Sequence, residues 1–122
     1  MKKLVVLVSA LLVALALSAC ATGSFDVSAD DAGIHARAAG GVDGSGAGKV
    51  SVVAGRGLRI AHAVNGGSFH VKAVDEVGRI AFDRDVTGEG VELVDSRGEF
   101  DVEISAYKAD GTVDISSYDK TA

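Results

Sequence analysis

Apolar and polar residues alternate one by one through much of the stretch from Leu58 to Ile115. A period of two puts successive side chains on opposite faces, so it specifies strands with one buried and one wet side. No segment of the chain keeps an apolar stripe at three-four spacing for three turns, and all sixteen glycines lie after residue 22, scattered among short alternating runs. The sequence therefore predicts an all-β fold built from short strands and glycine-closed turns.

The clearest predicted hairpin runs Leu58–Val64, turns through Asn65-Gly66, and returns over Gly67–Val74. Asn-Gly is the strongest two-residue hairpin signal, because both positions must take positive φ. This register pairs His62 with Phe69, Ile60 with Val71 and Leu58 with Ala73, which collects the apolar side chains on one face and sends Arg59, His70 and Lys72 to the other. A second hairpin spans Phe100–Lys108, turns through Asp110-Gly111 and returns over Thr112–Ser116. It turns Phe100, Val102, Ile104, Val113 and Ile115 inward and Asp101, Glu103 and Asp114 to water. Shorter strand candidates are Phe25–Ala29, Gly33–Ala38, Lys49–Ala54, Arg79–Phe82 and Val91–Val94. About eight or nine strands fit a small antiparallel β-sandwich or flattened barrel. The segment 38–48, rich in glycine and serine, reads as a long loop within it.

The first twenty residues have a different character. Lys2 and Lys3 give a basic start, Leu4 to Leu17 carries no charge, and Ser18-Ala19-Cys20 brings small residues up to a cysteine. This is the layout of a signal peptide. As a helix those apolar residues would span roughly 21 Å, short of the ~30 Å hydrocarbon core that a permanent membrane span must cross. Leu17-Ser18-Ala19-Cys20 resembles the lipobox of bacterial lipoproteins, and it uses the single Cys of the chain. The resemblance implies cleavage before Cys20, a diacylglyceryl group on its sulfur and acylation of its new amino terminus. Residues 1–19 are then the signal peptide, 20–23 a lipidated tether, and 24–122 one β-sandwich domain. Two or more acyl chains hold a protein stably on a membrane. The expected location is the extracytoplasmic face of the cell membrane, or an outer membrane in a host with two. The glycine-closed hairpins behind the lipobox resemble small β-sandwich modules of Gram-positive envelope lipoproteins, which implies a non-enzymatic binding or assembly role.

Charge and cysteine usage narrow the function further. One Cys supports neither a disulfide framework nor a cysteine zinc site. Loss of Lys2 and Lys3 takes the net charge from −5 to −7, and no basic-aromatic stripe is present, so nucleic acid is not an expected partner. The expected partners are the membrane, through the anchor, and an envelope protein or glycan.

Candidate chemistry is sparse. Gly44-Ser45-Gly46-Ala47-Gly48-Lys49 invites a phosphate-loop reading, but Asp43 stands where the motif needs Gly and Val50 where it needs Ser or Thr. Asp83, Asp85 and Glu89 place oxygens at every second position before glycine, as a calcium loop does, although Val94 stands where an EF-hand has its closing acid. They remain the candidate metal ligands, and a calcium or small-ligand binder is the first alternative function. An inhibitor or accessory subunit of an envelope enzyme, acting through a sheet edge, is the second. Of His35, His62 and His70, the hairpin register sends His62 and His70 to opposite faces, with His70 a solvated surface residue, and Asp101 with Glu103 reads as a solubilising pair on a wet strand. No Gly-x-Ser-x-Gly motif stands between a strand and a helix. Tyr107 and Tyr118 form a candidate aromatic binding patch for a sugar or peptide. No catalytic residue and no cofactor is expected.

Overall fold

The computed structural model describes residues 23–119. These form five strands: β1 (Ser24–Asp30), β2 (Gly33–Val52), β3 (Arg56–Asp75), β4 (Ile80–Val94) and β5 (Gly98–Asp119). All pairings are antiparallel, in one sheet of order β1-β2-β5-β3-β4, and the sheet does not close into a barrel. The expected all-β class is observed. The expected eight or nine strands are instead five, three of them twenty residues or longer.

The connectivity forces the sheet to double over. Val52, at the end of β2, pairs with Gly98 at the start of β5, whereas Arg56, at the start of β3, pairs with Asp119 at its end. Only residues 53–55 join these two points, a reach of about 14 Å. A straight strand of 22 residues would separate its ends by roughly 70 Å. Strand β5 must therefore bend back, and its neighbours bend with it.

The bends line up as one crease. Register shifts fall between Ala38 and Gly44 in β2 and between Val64 and Ser68 in β3, and Lys108 and Gly111 in β5 both take positive φ. Gly88 is the corresponding point in β4, with φ 66. Gly67 shows why the crease needs glycine: its φ is 64, and a Cβ there would collide with the carbonyl oxygens of Tyr107 and Lys108.

Asn65-Gly66 and Asp110-Gly111 thus mark the crease, and neither closes a hairpin. Ile60 pairs with Ile115 and Glu92, where Val71 was expected, and Val71 pairs with Ile104. Which side chains point inward is nevertheless as expected. Leu58, Ile60, Phe69, Val71, Ala73, Phe100, Val102, Ile104, Val113 and Ile115 are all buried. A strand folded across a crease and a hairpin closed by a turn bring the same alternating side chains inward, and they differ in whether the halves stack or lie side by side.

The segment 38–48 belongs to β2 and is no loop. Its glycines serve close approach: a Cβ on Gly44 would sit 2.5 Å from the Phe25 ring, and one on Gly46 2.7 Å from Val27. Strand β1, paired with the first half of β2, in this way lays its apolar side chains on the second half. Two of the turns, β1–β2 and β3–β4, close with side-chain help. Asp30 Oδ1 accepts hydrogen bonds from the amides of Ala32 and Gly33, and Asp75 Oδ1 from those of Val77 and Arg79.

Candidate functional site

Strand β4 is one margin of the sheet, so the space between its two halves has no further strand to cover it. Alternation puts Phe82, Arg84 and Val86 on one face of the first half, and Gly90, Glu92 and Val94 on the matching face of the second. Phe82 and Val86 are buried. The Arg84 guanidinium lies 4.6 Å above the Phe82 ring, and its Nη2 donates to Glu92 Oε1 at 3.0 Å, tying the two halves of β4 together across the crease.

His62 of β3 completes this cluster. It sits opposite Gly90, and a Cβ on Gly90 would come within 3.2 Å of its ring. Only 7 % of its side chain is exposed. Nδ1 donates to the Gly88 carbonyl at 2.9 Å. That carbonyl has no proton to give, so Nδ1 carries the hydrogen. Nε2 is buried, has no hydrogen-bond partner among the described residues, and faces Glu92 Oε2 at 3.8 Å. A cavity of about 200 Å³ opens beside these groups, lined by His62, Phe82, Arg84, Asp85, Val86, Thr87 and Glu92.

The other two histidines are held on the outer face, each between two carboxylates. His70 lies directly opposite Asp85, to which Nδ1 donates at 2.7 Å, and Nε2 donates to Asp83 Oδ1 at 2.5 Å. His35 lies opposite Asp114, with Nδ1 donating at 2.7 Å, while Nε2 reaches Asp30 Oδ1 at 3.3 Å. Hydrogen bonding to the charged ring raises both pKa values, through Asp85 and then Asp83 for His70, and through Asp114 and then Asp30 for His35. The Asp30 carboxyl is held below the ordinary range, first by the amide of Ala32 and then by His35.

The expected calcium loop at residues 83–90 is a continuous part of β4. Asp83 and Asp85 grip His70, whereas Glu89 lies beyond Gly88, opposite Ala63. Among the described residues no three His, Cys, Asp or Glu side chains gather to hold a metal ion. Tyr107 and Tyr118 lie in different halves of β5, separated by its bend. Tyr107 is 62 % exposed, with Lys108 Nζ 5.6 Å from its ring centre, and the Tyr118 ring lies against Gly57. Lys49, singled out in the phosphate-loop reading, donates to Asp101 across the sheet at 2.6 Å. Cys20 and the signal peptide lie outside the described residues.

The Arg84–Glu92–His62 cluster was not anticipated from the sequence. A signal for it exists: once 80–94 is read as one strand, Arg84 falls on the same face as Phe82 and Val86, where an apolar residue would be expected. No family model matches the chain, and neither a curated protein nor a solved structure matches it.

Proposed function

We propose that the chain is a cell-envelope lipoprotein, anchored through Cys20, whose folded part is a non-enzymatic binding or assembly module. The observation that supports this most is a spacing. β1 opens at Ser24, four residues after the lipobox cysteine. Such a tether reaches about 14 Å, so the module is held close to the bilayer and its partners are ones met at the membrane surface. In this reading the two stacked halves of the creased sheet act as the layers of a small β-sandwich.

The interaction edge is β4, a margin of the sheet that carries Ile80, Val91 and Leu93 with about half or more of their surface exposed. Unpaired backbone groups beside apolar side chains favour a partner that adds a strand, which also keeps the inhibitor or accessory-subunit reading open. Palmitate labelling and membrane fractionation test the anchor: label and membrane association are expected, and both should vanish in Cys20→Ala. A soluble, unlabelled wild-type protein overturns the proposal. A photo-crosslinker at Leu93 should capture one dominant envelope protein, and a uniform scatter of neighbours rules β4 out as the interaction edge.

A further inference from the structure

A buried ring nitrogen without a hydrogen-bond partner among the described residues faces a carboxylate oxygen at the β4 margin. The hydrogen bond from Nδ1 to the Gly88 carbonyl turns His62 Nε2 toward Glu92 Oε2, a carboxylate oxygen 3.8 Å away. Arg84 occupies the other carboxylate oxygen, Oε1, and so holds Glu92 with Oε2 turned to the ring. No protein donor among the described residues reaches Nε2. Burying a polar nitrogen without a partner carries a desolvation penalty, so the arrangement favours a positively charged or proton-donating species between the two atoms.

The imidazole is also prepared in the way metal-binding histidines are. Such a ring usually donates its other N–H to a carbonyl or carboxylate, which fixes the tautomer and orients the free nitrogen. Here the Gly88 carbonyl does this, and it is available because Gly88 lies in the crease. Zinc bonds to nitrogen and oxygen are each about 2.0–2.2 Å, so an ion fits between atoms 3.8 Å apart with a wide N–metal–O angle. One imidazole and one carboxylate suit zinc or copper better than calcium, which takes six to eight oxygens. The cavity of about 200 Å³ adjoins both ligands and leaves room for water or a small ligand at the remaining positions. In this lining Arg84 pairs with Glu92 through Oε1 alone, and the Asp85 carboxylate is engaged by His70 on the outer face.

We propose that His62 Nε2 and Glu92 Oε2 form a binding site for one zinc(II) or copper(II) ion, with its remaining coordination positions open to the cavity at the crease. The site is independent of the lipid anchor and distinct from the Asp83, Asp85 and Glu89 set.

The test is zinc titration of the full chain in detergent near neutral pH. Calorimetry gives the stoichiometry, and ring-nitrogen NMR identifies the histidine involved. One zinc per chain is expected, with no response to calcium, and the His62 Nε2 resonance should be the one that moves. His62→Gln and Glu92→Gln should each weaken binding by about tenfold or more, while His35→Gln and His70→Gln should leave it within about twofold. Absence of zinc and copper binding up to about 1 mM overturns the proposal. So does unchanged affinity in His62→Gln, or movement of the His35 or His70 resonances in place of His62. The NMR readout on the unsubstituted chain decides the matter even if a variant folds poorly.

Discussion

Gly67→Ala, set against Gly88→Ala, isolates the close backbone approach on which the crease depends. The two glycines have nearly the same φ, 64 and 66, but different surroundings. A Cβ at Gly88 meets nothing among the described residues within 4 Å, while one at Gly67 collides with the carbonyl oxygens of Lys108 and Tyr107. Both substitutions place a side chain in the left-handed region, at about 1–2 kcal/mol, partly offset by a less flexible unfolded chain. Only Gly67→Ala must also push β5 away, stranding backbone groups at about 1–3 kcal/mol each. The expected losses are about 1 kcal/mol for Gly88→Ala and about 3–5 kcal/mol for Gly67→Ala. With a urea slope of about 1.5 kcal/mol per M, the midpoints should fall by less than about 1 M and by about 2–3 M respectively. Equal shifts, or a larger one for Gly88→Ala, would refute the close approach of β3 and β5 at the crease.

Other consequences concern the core, β1 and pH. Ile104→Ala empties a fully buried site and should cost about 2–5 kcal/mol in equilibrium unfolding, against no more than about 0.5 kcal/mol for Val53→Ala in an exposed turn. Gly46→Leu should displace Val27 and β1 with it, so that hydrogen exchange accelerates over 24–30 while the β3–β5 amides stay protected. The raised pKa values of His35 and His70 make their contribution to stability full below the unfolded value of about 6.5 and lost as pH rises through the folded values. Urea midpoints should therefore fall from pH 6 upward, and the double variant His35→Gln/His70→Gln should flatten that slope. The lowered carboxyls of Asp30 and Asp75 act in the opposite sense, with stability present above their unfolded value and lost as pH falls through the folded ones. Asp75→Asn should reduce the acid-side loss in the same titration.

Side-chain direction was the legible part of this fold, and strand pairing the illegible part. Alternation from Leu58 to Val74 and from Phe100 to Ile115 sorts inward from outward residues whatever the strands pair with, because it depends only on the pleat. Asn65-Gly66 says that the chain can bend there. Whether that bend lies in the plane of the sheet or across it depends on β5 running between β2 and β3, a pairing between residues far apart in sequence. The polar run Asp83–Gly90 looked like a loop for the same reason, since its hydrogen-bond partners lie in β3. That misreading hid Arg84 and Glu92, which become informative only when β4 is followed through Gly88. The carboxylate clamps around His35 and His70 were hidden as well. The hairpin pattern puts His70 on the wet face, and its exposure is real, yet cross-strand register fixes both of its ring nitrogens.

The functional account rests on Cys20, and the intact mass of the protein extracted from membranes tests it most directly. A chain beginning at Cys20 and carrying a diacylglyceryl group on that residue is the predicted result. A mature chain with an unmodified Cys20 thiol, or one that retains residues 1–19, would contradict it.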